Sequence, residues 1–228
     1  MIDKFGSNSN GLGDVLLLTV ACKLFPQQIT IQLPPKNKRF SFLFDGLAKN
    51  IEITDNIIKL PNIGGGHYAQ QMLRNFISYA EDVDFKPLTL FSDMESELWV
   101  SNFLKKIKNP IIFVPNCSKQ WHEVRSLSFD LNKRILNYFS KNEITPILCT
   151  SSENDINFEG ILKITDLDLK KYTCLLRRVN KYIGCNTGDM HLAIATGCTL
   201  EVFQPKTNSL FNEIEWNYNH SSIIYDSW

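Results

Sequence analysis

The sequence predicts an α/β protein of two lobes, each a parallel sheet covered by helices on both faces. Three observations carry that expectation. The runs QITIQL, IIFVP, TPILCT and KYIGC are largely apolar, as strands buried on both faces are. Helical patterns separate these runs from one another, and parallel strands need such crossovers. Polar, glycine-containing segments fall where strands give way to helices, the place at which folds of this kind collect ligands.

Taken in order, the first strand is little more than IDKF, and an apolar helical stretch follows over 14–24. QITIQL (28–33) and IEIT (51–54) read as strands, with a further helical segment over 39–48. Gly64-Gly65-Gly66 makes a hinge before an amphipathic helix over 68–80, with His67 at its start. A helix over 94–107 precedes Asn109-Pro110, which marks the boundary between an abbreviated lobe, 1–108, and a better-defined lobe, 109–228. The second lobe runs IIFVP, a helix from about Phe129 to Ser140 capped by Ser126 or Ser128, then TPILCT and ILKIT. A helix over Leu169–Val179, the strand KYIGC, a helix over Asp189–Thr196 and the strand TLEVFQ complete it.

The totals narrow the function. Among 228 residues, 24 basic side chains balance 24 acidic ones, so nothing in the global charge points to nucleic acid or an anionic membrane surface. No run reaches the ~18 apolar residues of a transmembrane helix, and the N-terminus lacks the plan of a signal peptide. Six scattered cysteines, with no CxxC and no zinc-ligand spacing, read as reduced thiols of a cytoplasmic protein.

Three loops carry the candidate chemistry. In the first, SNSNGLGDVLLLT, Gly11 and Gly13 permit a tight turn or the close approach of a ligand. Asp14 is either a helix-start carboxylate or a general base. In the second, VPNCSKQWHEVRSLSFD, Lys119 and Arg125 place two cations near a helix N-terminus, and Asn116 and Ser118 add hydrogen-bonding groups. That set suits either ordinary surface or a diphosphate cradle. In the third, Asn186-Thr187-Gly188-Asp189-Met190-His191, Thr187 can cap and Gly188 can turn the next helix, and His191 faces back towards the loop. Asp166-Leu167-Asp168 matches a metal-binding DxD pattern but sits where a helix cap is expected. SSEND reads as a turn, from which Glu153 could reach a ribose hydroxyl.

These residues resemble the signatures of the heptosyltransferase family of GT-B glycosyltransferases, the ADP-heptose:lipopolysaccharide type, with a shortened N-terminal lobe. GLGDVLLLT is similar to that family's GDVLLTTP segment. VPNCSKQW…RSLSFD is similar to its NPG-S-x-K-x-W loop, and IGCNTGDMHLAIATG…VFQP to its IGxDTGPMHLAAALG…LFGP. The resemblance implies two Rossmann-like lobes around an interdomain cleft and an inverting transfer of a sugar, heptose being one candidate, to a glycan or lipid-linked hydroxyl. It implies a nucleotide-diphospho-sugar as co-substrate, no metal and no other cofactor. Asp14 then matches the base that deprotonates the acceptor. Asn116, Ser118, Lys119, Arg125 and the run Asn186 to His191 match the donor phosphate and sugar site. Glu153, Asp166 and Leu167 fall near the nucleoside, and Gly11 and Gly13 on the acceptor side. Asn186 stands where the family has Asp, and Asp189 where it has Pro.

A nucleoside-diphosphate leaving group stabilised by lysine, arginine and a helix N-terminus needs no metal, which agrees with the lack of ligand spacing. The alternative is a non-catalytic module that keeps the nucleotide-sugar site without turnover. An NAD-dependent oxidoreductase is disfavoured, because the third glycine of G-x-G-x-x-G is missing. No nucleic-acid partner is expected, a peripheral membrane contact is left open, and oligomeric state is not legible.

Overall fold

The computed structural model describes residues 4–6, 11–57, 86–117, 125–150, 159–204 and 222–225. It is an α/β chain whose described strand pairs are all parallel, as the apolar strand runs predict. Contacts divide it into two units, and the chain first passes from one to the other between Phe91 and Ser92.

In the first unit, β1 (Lys4–Gly6), β2 (Thr30–Leu33) and β3 (Asn50–Ile53) form a three-stranded sheet in that spatial order. Helix α1 (Leu12–Leu24) is buried without a break from Val15 to Cys22, because its residues are apolar on every side. Thr19 is the exception in that run. Its hydroxyl donates to the Leu16 carbonyl at 2.6 Å and accepts the Leu88 N–H at 3.0 Å, so the polar atom costs little there.

The helical segment expected over 39–48 is instead a 3₁₀ helix over Pro35–Phe44. Its buried residues are Asn37, Phe40, Phe42, Leu43 and Phe44, so its C-terminal half is the part that packs into the core. Bonds from the Asn37 N–H to Pro34 and from the Asp45 N–H to Phe42 bracket the segment. The helix expected over 68–80, with His67, lies outside the described residues.

The second unit holds a six-stranded sheet. Its strands are β4 (Pro110–Val114), β5 (Thr145–Thr150), β6 (Leu162–Thr165), β7 (Lys181–Cys185), β8 (Thr199–Gln204) and β9 (Ser222–Tyr225). Their spatial order is β6–β5–β4–β7–β8–β9. Helices α2 (Met94–Leu104), α3 (Phe129–Lys141), α4 (Leu169–Val179) and α5 (Gly188–Ala195) belong to this unit. One face of the sheet presents Ile111, Phe113, Ile183, Cys185 and Phe203 to Leu131 and Phe139 of α3. Alternate residues Ile112, Val114 and Tyr182 point the other way, as a period of two requires.

The expected boundary at Asn109-Pro110 is therefore too late. Asp93 caps α2 by accepting the Ser96 N–H at 2.8 Å, and α2 packs along α4. Glu95 meets Lys171 at 3.1 Å, and Glu97 meets Arg178 at 3.2 Å and Arg177 at 3.7 Å. Ion pairs this exposed contribute at most about 1 kcal/mol each and mainly set the register of the two helices. All six cysteines are free, and burial raises the Cys22 thiol to about 12.

Candidate functional site

In the order β6–β5–β4–β7–β8–β9 the chain starts at β4, steps outward twice, then returns to the other side of β4 with β7. Crossovers from β4 and β7 therefore leave the sheet in opposite directions and open a crevice at the carboxyl ends of these two strands. Val114 pairs with Gly184, so Asn116 and Asn186 stand level with each other, two residues beyond the last matched pair. The second and third loops read from the sequence share this one switch point.

Gly184 sets how closely they meet. A Cβ at this position would lie 2.9 Å from the Val114 carbonyl carbon and 3.1 Å from its Cα, and nearer still to the carbonyl oxygen. No side chain fits between the two backbones. A glycine inside the strand pattern KYIGC is the sequence signal for such an approach.

The loop after β4 is pinned at its neck. The Cys117 N–H donates to Ser126 Oγ at 3.1 Å and the Leu127 N–H to the Pro115 carbonyl at 2.8 Å. Of the two serines proposed as the α3 cap, Ser128 does that work, accepting the Leu131 N–H at 3.3 Å, while Ser126 closes the neck. Asn116 and Arg125, both half-buried, flank that neck. Ser118 and Lys119 lie outside the described residues, directly after it in sequence.

The loop after β7 is held from beneath. Thr187 caps α5: its Oγ1 accepts the Asp189 N–H at 3.2 Å and stands 3.2 Å from Asp189 Oδ2, to which it donates. The Tyr182 hydroxyl donates to the Cys185 carbonyl at 2.9 Å and lies 3.5 Å from Thr187 Oγ1. Asn186 is buried, and Met190 is fully buried, so the Met190 side chain serves the core and only its backbone could meet a ligand. Gly188 is the first residue of α5 with no left-handed φ, so it starts the helix rather than turning the chain. The His191 N–H closes the first helical turn on the Thr187 carbonyl.

Asp189 is the unexpected member. The residue keeps some exposed surface, yet its carboxylate is crowded enough that desolvation raises its pKa above the ordinary carboxylate value. The Thr187 hydroxyl bond, the nearby Tyr172 hydroxyl and its own backbone oppose that rise. Tyr172, on α4, is buried, and its hydroxyl couples to the Asp189 carboxylate without reaching good hydrogen-bond geometry. Burial drives Tyr172 and Tyr182 well above the usual phenol range. Cys149, at the end of β5, is pushed up to about 12 by burial and then by the Asp189 charge. The Cys185 thiol rises chiefly through its bond with Cys117, then through burial. This layer of Tyr172, Tyr182, Cys149 and Cys185 under the loop has no linear motif, and sequence reasoning missed it.

The remaining candidates lie elsewhere. Asp166 ends β6 in a left-handed conformation, φ 52°, its N–H donating to the Thr150 carbonyl. With Leu167 it stands two strands from β4, roughly 10 Å along the carboxyl edge of the sheet. Asp168 caps α4, accepting the Lys170 and Lys171 N–H groups at 2.8 and 3.4 Å, as the cap reading of the DxD pattern expects. Glu153 lies outside the described residues.

In the first unit, Asp14 sits in the first turn of α1, where a carboxylate complements the helix dipole. Gly11 is the extended N-cap and Gly13 is helical, so neither uses the left-handed freedom of glycine that the tight-turn expectation assumed. Among the described residues there is no group of three His, Cys, Asp or Glu arranged for a metal, and no helix long and apolar enough to cross a membrane.

A parallel sheet with this reversal at β4/β7, joined in one chain to a second parallel α/β unit, makes this a Rossmann-type α/β fold. Solved structures give that class its nearer reference points. The chain is similar to a glycosyl transferase family 9 protein from Veillonella parvula, at 12% identity over 99% of this chain and 87% of that one, TM-score 0.69. It is also similar to E. coli ADP-heptose LPS heptosyltransferase II, at 10% identity over 98% and 90% of the two chains, TM-score 0.62. The third is E. coli heptosyltransferase WaaC solved with ADP, at 10% over 97% and 90%, TM-score 0.57. At these identities the likeness establishes the fold. No known family model and no curated protein matches the sequence.

Proposed function

We propose that the chain is a glycosyltransferase that takes a sugar, with heptose as the first candidate, from a nucleotide-diphospho-sugar and transfers it to a glycan or lipid-linked hydroxyl. One observation carries the reading. The loops whose residues resemble a diphosphate cradle follow the neighbouring strands β4 and β7, at the switch point of a fold shared with heptosyltransferases, one of them solved with ADP. The diphosphate would sit over Asn116, Ser118, Lys119 and Arg125 on one side and the Asn186–His191 loop on the other. The nucleoside would extend about 10 Å along the sheet edge towards Glu153, Asp166 and Leu167.

The chemistry follows from those groups. Asp14 would accept the proton of the acceptor hydroxyl as its oxygen attacks the anomeric carbon. The bond to the diphosphate oxygen then breaks with inversion. Lys119, Arg125 and the first-turn N–H groups of α5 would stabilise the charge that develops on the leaving group, so the residues require no metal for this step. Such a protein is expected in the cytoplasm, where nucleotide sugars are made available.

Thermal unfolding with ADP, UDP, GDP, CDP, dTDP and NAD tests the donor class. A diphosphate at ~100 times its dissociation constant stabilises the native state by roughly 2.7 kcal/mol. One diphosphate should raise the midpoint of the wild type and not of Lys119→Ala. Asp14→Asn should keep that shift and lose transfer. The reading is refuted if no nucleotide moves the wild-type midpoint.

A further inference from the structure

Building on the donor-site reading above, we infer that Asp189 governs the loop's hold on a nucleoside diphosphate by taking the hydroxyl proton of Thr187, which a phosphate oxygen would otherwise receive. Thr187 Oγ1 has one proton and already accepts the Asp189 N–H. Two acceptors compete for the proton inside the protein, Asp189 Oδ2 at 3.2 Å and the Tyr182 oxygen at 3.5 Å. Tyr182 has given its own proton to the Cys185 carbonyl and can only accept. A carboxylate is the stronger acceptor and the nearer one, so the Thr187 proton points inward. The cap of α5 is thereby complete, and Thr187 offers an incoming phosphate a lone pair rather than a donor.

The groups around Asp189 do not relieve this arrangement. Tyr172 faces it from α4, Tyr182 and Cys185 from β7 and Cys149 from β5, and each of these is neutral at neutral pH. Among the described residues no cation forms an ion pair with Asp189. Neutralising the carboxylate reverses the polarity of the pair. A protonated Asp189, or an asparagine, donates to Thr187 Oγ1 and leaves the threonine proton free to turn outward. Asp189 is thus a positioning residue, acting on a ligand through Thr187.

Isothermal titration of ADP and of inorganic pyrophosphate, from pH 5.5 to 8.5, decides the matter with four proteins: wild type, Asp189→Asn, Thr187→Val and the double variant. At pH 8, Asp189→Asn should bind both ligands at least about tenfold more tightly than wild type, the worth of one hydrogen bond to a charged group. In the Thr187→Val background the same substitution should give no such gain. Thr187→Ser, which keeps the hydroxyl and the cap, should preserve it. Wild-type affinity should approach that of Asp189→Asn as pH falls, a comparison that cancels the ligand's own titration.

An equal gain with and without the Thr187 hydroxyl would overturn the inference and assign the effect to charge alone. Ligand binding to wild type with no improvement in Asp189→Asn would sink the inference and leave the donor site standing. Binding of neither ligand to any of the proteins would remove both.

Discussion

Replacing Gly184 with alanine should strain the switch point directly, and the structure sets the scale of the loss. The new methyl carbon would stand 2.9 and 3.1 Å from Val114 backbone carbons and closer to its carbonyl oxygen, where ordinary contact begins at 3.4 Å. Backbone cannot rotate away as a side chain can, so β4 and β7 must part by about 1 Å. That separation carries the adjoining ladder bonds beyond the range of roughly 3.2 Å, losing one or two bonds of about 1 kcal/mol each. Strain from overpacking adds about 1–3 kcal/mol. A total near 3 kcal/mol is expected for Gly184→Ala. In urea, with a slope of roughly 2 kcal/mol/M, the midpoint should fall by about 1.5 M. The variant should also lose diphosphate-dependent stabilisation under conditions where it remains folded, because Asn186 follows the displaced strand. A loss below about 0.5 kcal/mol would show that the strands tolerate separation and that the close approach does not govern the loops.

Substitutions at two further positions test the assignments made around the sheet. Asp168→Ala should cost about 1 kcal/mol through loss of the α4 cap, whereas Asp168→Asn should cost little, since asparagine caps as well. Added Mg²⁺ or Mn²⁺ should leave the unfolding midpoint of all three proteins alike, and a metal shift lost in both variants would restore the DxD reading. Asp189→Asn should alter the pH profile of stability. Desolvation raises the folded-state pKa above the unfolded value, so the folded chain binds the proton more tightly. Stability from this group is then greatest below about pH 4 and declines as pH rises through the raised value. The variant should gain on wild type as pH rises above about 4 in calorimetric scans, and parallel profiles would contradict the assignment.

Much of the second unit was legible because its central strands β4 and β7 are buried on both faces, which turns burial into unbroken apolar runs. Its helices carry caps that name themselves: Ser128, Asp168 and Thr187 each precede a helix with the expected side-chain bond. Legibility failed where the governing interaction is distant in sequence. The allegiance of α2 is decided by α4, some seventy residues on, and no local pattern at Asn109-Pro110 could reveal it. The strand Ser222–Tyr225 went unread because SIIY is too short to display a period without its neighbour β8. At Pro35–Phe44 the apolar spacing reads as an α-helix, but the segment opens on Pro34-Pro35 and closes with the i→i+3 bond from the Asp45 N–H to Phe42, the pattern of the tighter coil. Loop residues were identifiable as polar groups at strand ends. The tyrosines and cysteines beneath them belong to three separate elements, α4, β5 and β7, and only the fold assembles them.

The pairing of Val114 with Gly184 also has a kinetic meaning. These residues are 70 positions apart, and closing so long a segment is entropically costly before any contact rewards it. Strands β4, β5 and β6 can associate through nearer neighbours, whereas the seam between β4 and β7 waits for α4 and β7 to be in place. The crevice at the strand ends is absent from every species on the folding route that lacks this seam. A molecule that binds there should accordingly retard unfolding and leave the rate of refolding almost unchanged.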